Sequence, residues 1–183
     1  MAKPHSTAAN SVSDVMGAGT ERNWLAAYTR ARHEYAVARQ LESKAVAFLL
    51  PTWARRSLWS DRTKHVMAPL FPSYVFVHVS DEERVRVLQT AGVVSIVSVA
   101  GKPAPLRQEE VAMLRECAAR PNGVEPHAFL RVGQRVRVKH GPFAGWVGIL
   151  ARKRNETRLV VSIEQIMQCV AVDLDGADVE AVA

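Results

Sequence analysis

Cations interleaved with aromatic rings are the side chains here best suited to chemistry, and that chemistry is recognition rather than bond making. Between Arg55 and His65 the chain places Arg55, Arg56, Arg62, Lys64 and His65 around Trp59. Such a run is either a solvated charged turn or a contact for nucleic-acid phosphates, with Trp59 free to stack on a base. A second stretch, Leu70-Phe71-Pro72-Ser73-Tyr74, sets bulky apolar residues at the mouth of a strand. Rings in that position either fill a core or stay partly wet as a docking surface for a partner's helix. A third group, Phe143 with Ile163, Ile166 and Met167, offers an apolar edge for a protein partner. Its alternative is that Ile163 points into the core and only Ile166 and Met167 lie on a loop.

Catalytic chemistry has no comparable foothold. The chain has no Gly-x-x-x-x-Gly-Lys loop, no Gly-x-Ser-x-Gly, no His-Glu-x-x-His and no Cys-x-x-Cys. His65, His78, His127 and His140 lack ligand spacing, and His33-Glu34 is an isolated pair at a helix start. No enzyme, cofactor or metal is therefore expected. Cys117 and Cys169 lie far apart and read as reduced structural thiols. With 48% hydrophobic and 23% charged residues, the 183-residue chain has the composition of a globular protein of one or two domains. A net charge of +6 and a pI near 9.7 favour a polyanionic neighbour such as nucleic acid. Charges interrupt every apolar run before it could span a bilayer, so a cytoplasmic protein without a membrane contact is expected, and a monomer.

The elements that position these residues follow from periodicity. Residues 1–21 are polar and small and read as a disordered tail; residues 22–119 form a first domain. Residues 24–29 read as a strand. Residues 33–47 read as a helix, with Tyr35, Ala38, Leu41, Ala45 and Phe48 recurring at helical spacing. Residues 48–53 suggest a second strand, in which Pro51 argues for an edge position or a bulge, and residues 55–65 a hairpin turning near Ser60-Asp61. Tyr74 to Val79 alternates most clearly as a strand. Ser80 and Glu83 form a capping box for a helix to about Thr90. A strand over 94–99, a loop over 101–105 and a helix over 107–119 complete an α+β unit, a split-βαβ antiparallel sheet with its helices on one side.

Residues 120–128 combine turn formers without periodicity and read as a linker. Everything from 129 to 183 is all-β in pattern, with strands near 135–139, 146–151, 159–164, 169–174 and 179–182. Val136 and Val138 alternate with Arg135, Arg137 and Lys139 before a Gly-Pro-rich turn, as in a small closed barrel. Basic residues (Arg131, Arg135, Arg137, Lys139, Arg152, Lys153, Arg154) crowd its first half and Asp173, Asp175, Asp178 and Glu180 its end. The two sets either neutralise each other across strands or leave a charged face.

Five blocks in order give the chain its resemblance: Trp24-Leu-Ala-Ala-Tyr28, Leu70-Phe-Pro-Ser-Tyr-Val-Phe-Val77, Gly92-Val93 with Lys102-Pro-Ala-Pro105, Val136 to Gly148, and Val161-Ser-Ile163. Together they resemble the NusG family of transcription elongation factors, an N-terminal domain followed by a small SH3-like KOW barrel. Ser73 stands where that family's signature has glycine. Ser73 and the basic hairpin look closer to specialised paralogues of the RfaH and UpxY type, and the loop Glu164-Gln-Ile-Met-Gln168 lacks the Phe-Gly-Arg that the general factor has there. The resemblance implies a factor that suppresses pausing or termination by gripping the clamp helices of RNA polymerase's largest subunit. The implied contacts are Tyr28, Leu70, Phe71, Pro72 and Tyr74, with Trp24 in the patch or in the core. It further implies DNA, non-template or upstream, along the hairpin residues Arg55, Arg56, Trp59, Arg62 and Lys64. A ribosomal protein or Rho would meet the barrel at Phe143, Ile163, Ile166 and Met167. A competing expectation is an RNA-binding module of a ribonucleoprotein or translation complex. That reading would need aromatic RNP positions that the sequence lacks.

Overall fold

The computed structural model describes residues 21–59, 62–127, 133, 135–153, 156–174 and 179–182; at 56–59, 62–65, 152–153 and 156–157 it describes the backbone alone. Residues 1–20 of the tail expected over 1–21, the turn at Ser60-Asp61 and the charges at Arg131, Arg154, Asp175 and Asp178 lie outside these residues.

The first unit is built on a four-stranded antiparallel sheet. In chain order it runs β1 (Asn23–Thr29), α1 (Glu34–Ser43), β2 (Ala47–Leu49), β3 (Thr52–Trp59), β4 (Arg62–Pro69), β5 (Tyr74–Val79), α2 (Asp81–Leu88), β6 (Val93–Ile96), β7 (Ser98–Val99), β8 (Lys102–Pro103) and α3 (Gln108–Ala119). The sheet order is β2-β5-β1-β6, while β3-β4 and β7-β8 form separate two-stranded ladders. Strand alternation divides the buried side chains between two faces. Leu25, Ala27, Val75, Val77, Val79 and Ile96 pack with Val37, Leu41 and Val87 of α1 and α2. Ala26, Leu49 and Phe76 pack on the opposite face with Leu106, Val111, Leu114 and Cys117 of α3 and the loop before it. The helices are thus on both faces, not one. Each fully buried Val, Leu, Ile or Phe among them stabilises the fold by about 1.5–3 kcal/mol.

Local chemistry fixes the element ends. The Ser80 Oγ accepts from Glu83 N–H at 3.2 Å and a Glu83 carboxylate oxygen accepts from Ser80 N–H at 3.0 Å, so the expected capping box starts α2. α1 stops at Ser43, short of the expected end, where Ala45 turns left-handed at φ 53°. Its buried residues are Glu34, Val37, Ala38 and Leu41, so the apolar face is rotated from the one expected and Tyr35 is exposed at 42%. Pro51, which has no N–H to give, separates β2 from β3, and β2 does lie at a sheet edge. The hairpin ladder runs in register from Thr52 opposite Pro69 to Trp59 opposite Arg62, longer at its root than expected.

The second unit is a six-stranded antiparallel sheet, order β14-β10-β11-β12-β13-β9. Its strands are β9 (Val124–His127), β10 (Arg135–Val138), β11 (Val147–Lys153), β12 (Glu156–Ile163), β13 (Gln168–Asp173) and β14 (Val179–Ala181), with a 3-10 turn over Glu164–Ile166. Val136, Val138, Leu159, Ile163, Val170 and Val172 are buried inside it. Gly148 is required because a Cβ there would stand 2.5 Å from the Val160 carbonyl on β12. The expected linker is corrected at Val124–His127, which pairs with β13 from Val124 opposite Val172 to His127 opposite Cys169. Pro126 fits because β9 is an edge strand, where a missing N–H leaves no ladder bond unmade.

The two units are docked. Leu70, Phe71, Val111, Met113 and Leu114 belong to one apolar cluster with Val136, Phe143, Ile163 and Ile166. Across the seam Gln165 Nε2 donates to a Glu110 carboxylate oxygen at 3.2 Å and Gln168 Nε2 donates to the Pro72 carbonyl at 3.3 Å. A cleft of about 680 Å³, lined by Arg107, Met113, Arg135 and Met167 among others, opens beside it.

Candidate docking surface and nucleic-acid interface

The aromatic loop between β4 and β5 is held by backbone bonds. Leu70 N–H donates to the Pro51 carbonyl at 2.9 Å, Tyr74 N–H to the Phe71 carbonyl at 3.2 Å, and Thr29 N–H to the Ser73 carbonyl at 2.8 Å. Ser73, left-handed at φ 66°, donates its N–H to the Glu34 carboxylate at 2.7 Å. Glu34 is itself only 4% exposed, so the carboxylate is committed to this clamp. The turn drives Phe71 inward, edge-on to Phe76 at 5.4 Å between ring centres. Leu70 and Phe71 are each 1% exposed. As direct contacts for a partner they are corrected: both are anchors that set the loop.

What the loop presents is Pro72, exposed, and Tyr74, half-buried. Tyr74 lies in register with Tyr28, and the rings sit 5.4 Å apart, tilted by 53°. Tyr28 is 41% exposed. Burial, then the neighbouring Tyr28, raises the Tyr74 hydroxyl above its usual range, so the Tyr74 phenol is a neutral donor near pH 7. Trp24 lies at the other end of β1, stacked on His78 at 5.0 Å with the Arg115 guanidinium 5.9 Å from its ring centre. Its place is beside α3, away from the tyrosine pair. Burial, then Arg22, pulls the His78 imidazole below its ordinary pKa.

Of the basic set, Arg55 is exposed on β3. The backbone register brings Arg56 opposite His65, Ser57 opposite Lys64 and Trp59 opposite Arg62. The ladder therefore gathers the five expected nucleic-acid residues on one two-stranded projection. In the second unit only Met167 of the expected partner edge is exposed, at 51%. Phe143, Ile163 and Ile166 are 7%, 0% and 6% exposed. Those three are corrected to buried positions: Phe143 folds onto Trp146 at 5.0 Å, Ile163 closes β12 inward, and Ile166 sits in the 3-10 turn whose Gln165 reaches α3. Across β10 and β14, Arg137 meets Glu180 at 3.8 Å, one instance of the charge neutralisation weighed from sequence.

Sequence reading missed the exposed Tyr35, whose hydroxyl donates to the Met67 carbonyl at 3.1 Å, and its neighbour Met67, 45% exposed. Helical spacing alone could not have found them, because Glu34 rather than Tyr35 turns inward. Cys117 and Cys169 are free and buried, and burial pushes the Cys117 thiol up to about 12. Among the described residues no group of three or more His, Cys, Asp or Glu could hold a metal, and no helix is long and apolar enough to cross a membrane.

A clamped loop beside the Tyr28–Tyr74 pair, a cation-bearing hairpin and an appended β unit are thus combined in one chain. Residues 22–115, just over half of the chain, match the family described as "NusG: Transcription termination factor nusG", and the chain belongs to the NusG family. It is 27% identical over 178 residues to the transcription termination/antitermination protein NusG of Halalkalibacterium halodurans, covering 88% of this chain and 99% of that protein. The Staphylococcus aureus protein of the same name is 27% identical over 185 residues, covering 92% and 99%. The solved structure described as "Domain interaction in Thermotoga maritima NusG" shares the fold, with a TM-score of 0.55 and 24% identity over 88% of this chain and 98% of that one.

Proposed function

We propose that this chain is a transcription termination/antitermination factor whose first unit grips the clamp helices of RNA polymerase's largest subunit and suppresses pausing or termination. The observation that carries this reading is the Tyr28–Tyr74 pair on β1 and β5, Tyr28 exposed and Tyr74 half-buried, at the end of a loop that Glu34 and Thr29 lock in place. A helix tip laid on two preordered rings gains apolar contact at little rotamer cost, and each phenol adds a donor. The hairpin then lies against duplex or non-template DNA, where its cations meet phosphates. Bound at both places, the factor bridges clamp and nucleic acid and opposes the opening that accompanies a pause, with no bond made or broken.

The barrel serves a second partner, a ribosomal protein or Rho, through the neighbourhood of Met167. In the docked arrangement Ile166 and Gln165 face α3, and Gln168 holds the Pro72 carbonyl. Full use of either surface therefore requires the seam to open. Pull-down of RNA polymerase from cell extract tests the first-unit contact. Wild-type chain should retain the enzyme, and the double variant Tyr28→Ala, Tyr74→Ala should lose it while keeping its fold. Equal retention by both would remove the proposal.

A further inference from the structure

A groove at the root of the hairpin overlaps the contacts proposed above only at Arg55 and Pro72. It encloses about 380 Å³ between the start of α1, the paired ends of β3 and β4, and Pro126 of β9. Its floor is apolar, made by Tyr35, Trp53, Met67 and the prolines at 69, 72 and 126. Tyr35 and Met67 are 42% and 45% exposed, large side chains left open to water next to each other. The Tyr35 hydroxyl is already bonded to the Met67 carbonyl, so the ring face is what the groove offers.

Its rim is cationic. Arg32 and Arg55 both line it, both are exposed, and among the described residues neither has a carboxylate partner. Glu34, which also lines it, is 4% exposed and its carboxylate already accepts from Ser73 N–H. We infer that this groove binds an acidic polypeptide segment that inserts one large apolar side chain over Met67 and Tyr35 and sets carboxylates on Arg32 and Arg55. A guanidinium accepts a carboxylate in two parallel bonds, and a thioether floor adapts to an aliphatic or aromatic anchor. Met67, Ala68 and three prolines beside Tyr35 and Trp53 make an apolar socket for a side-chain anchor, and two guanidinium forks at its rim match carboxylates, which favours a polypeptide. Stacking of a base on the two rings is the competing outcome that the oligo-dT arm tests. Arg55 stands three residues into β3, so a segment seated here leaves the outer hairpin free for nucleic acid.

The experiment uses the full chain, labelled at backbone nitrogen and at methionine methyl groups. It is titrated with the peptide Glu-Glu-Leu-Phe-Glu-Glu, with the same peptide carrying lysine for glutamate, and with a twelve-residue oligo-dT. The acidic peptide should shift the Trp53 indole and Met67 methyl signals saturably. Arg32→Glu and Met67→Glu, both at exposed positions, should each weaken it about tenfold, the size of one lost anchor or charged pair. No shift with the acidic peptide, equal shifts with the lysine peptide, or saturation of the same signals by oligo-dT alone would each overturn the inference.

Discussion

Ser73 and Glu34 carry more of the proposed docking loop than the rings themselves. A non-glycine residue at φ 66° is strained, and here the strain is offset by the bond from its N–H to a buried carboxylate. Ser73→Gly should relieve the backbone and raise stability by about 0.5–1 kcal/mol. Glu34→Ala should lower it by about 1–3 kcal/mol, because the Ser73 N–H loses its acceptor. Thermal unfolding of both variants checks the pair of signs. Thr29 is fully buried and its hydroxyl has no partner among the described residues, so Thr29→Val should stabilise by about 1 kcal/mol. His78 gives a pH signature. Its folded pKa lies below the unfolded 6.5, so the unfolded chain binds the proton first and the stabilisation present above that value is lost as pH falls through it. Melting curves between pH 7 and 5 should therefore fall less steeply for His78→Gln than for wild type.

Among the elements, β9 changes how the chain should be divided. Val124 is buried, Arg158 on β12 forms an ion pair with Glu125, and Asp173 N–H donates to the Gly123 carbonyl at 3.2 Å. A barrel fragment starting at residue 129 should thus be less stable than one starting at 123, by about 2 kcal/mol for the lost edge ladder. Urea titration of the two fragments decides it. Much of this architecture was legible beforehand. Alternation marked β5 and β10, and Ser80 with Glu83 announced α2, because both signals are local. β9 was hidden by Pro126, which reads as a breaker unless its edge position is known. Tyr35 was misplaced because Glu34, a charged residue, takes the inward position by capping Ser73 from 39 residues away. No periodicity encodes such a bond.

On the scale of the whole molecule, the docking residues were the least legible part of the site. Phe71, Phe143 and Ile166 are apolar residues on loops or turns, a pattern shared by wet docking rings and by side chains closed into a core. Which of the two applies depends on the turn at Phe71 and on the seam between the units, and neither is written in local sequence. Among the described residues, Gln165 and Gln168 supply side-chain hydrogen bonds across the seam. Gln165→Ala with Gln168→Ala should loosen it without touching either core. Hydrogen exchange should then rise at the start of α3 and in the 3-10 turn, while β1 and β12 stay protected. Unchanged exchange would place the seam's strength in the apolar cluster alone.

The most direct measurement is the affinity of a clamp-helix fragment for the full chain and for the Tyr28→Ala, Tyr74→Ala variant, at low and high salt. Two hot-spot rings predict a loss of about thirtyfold or more in the variant, with little salt dependence in the wild type. Equal affinity in both proteins, or binding that collapses as salt rises, would contradict a grip made by the tyrosine pair.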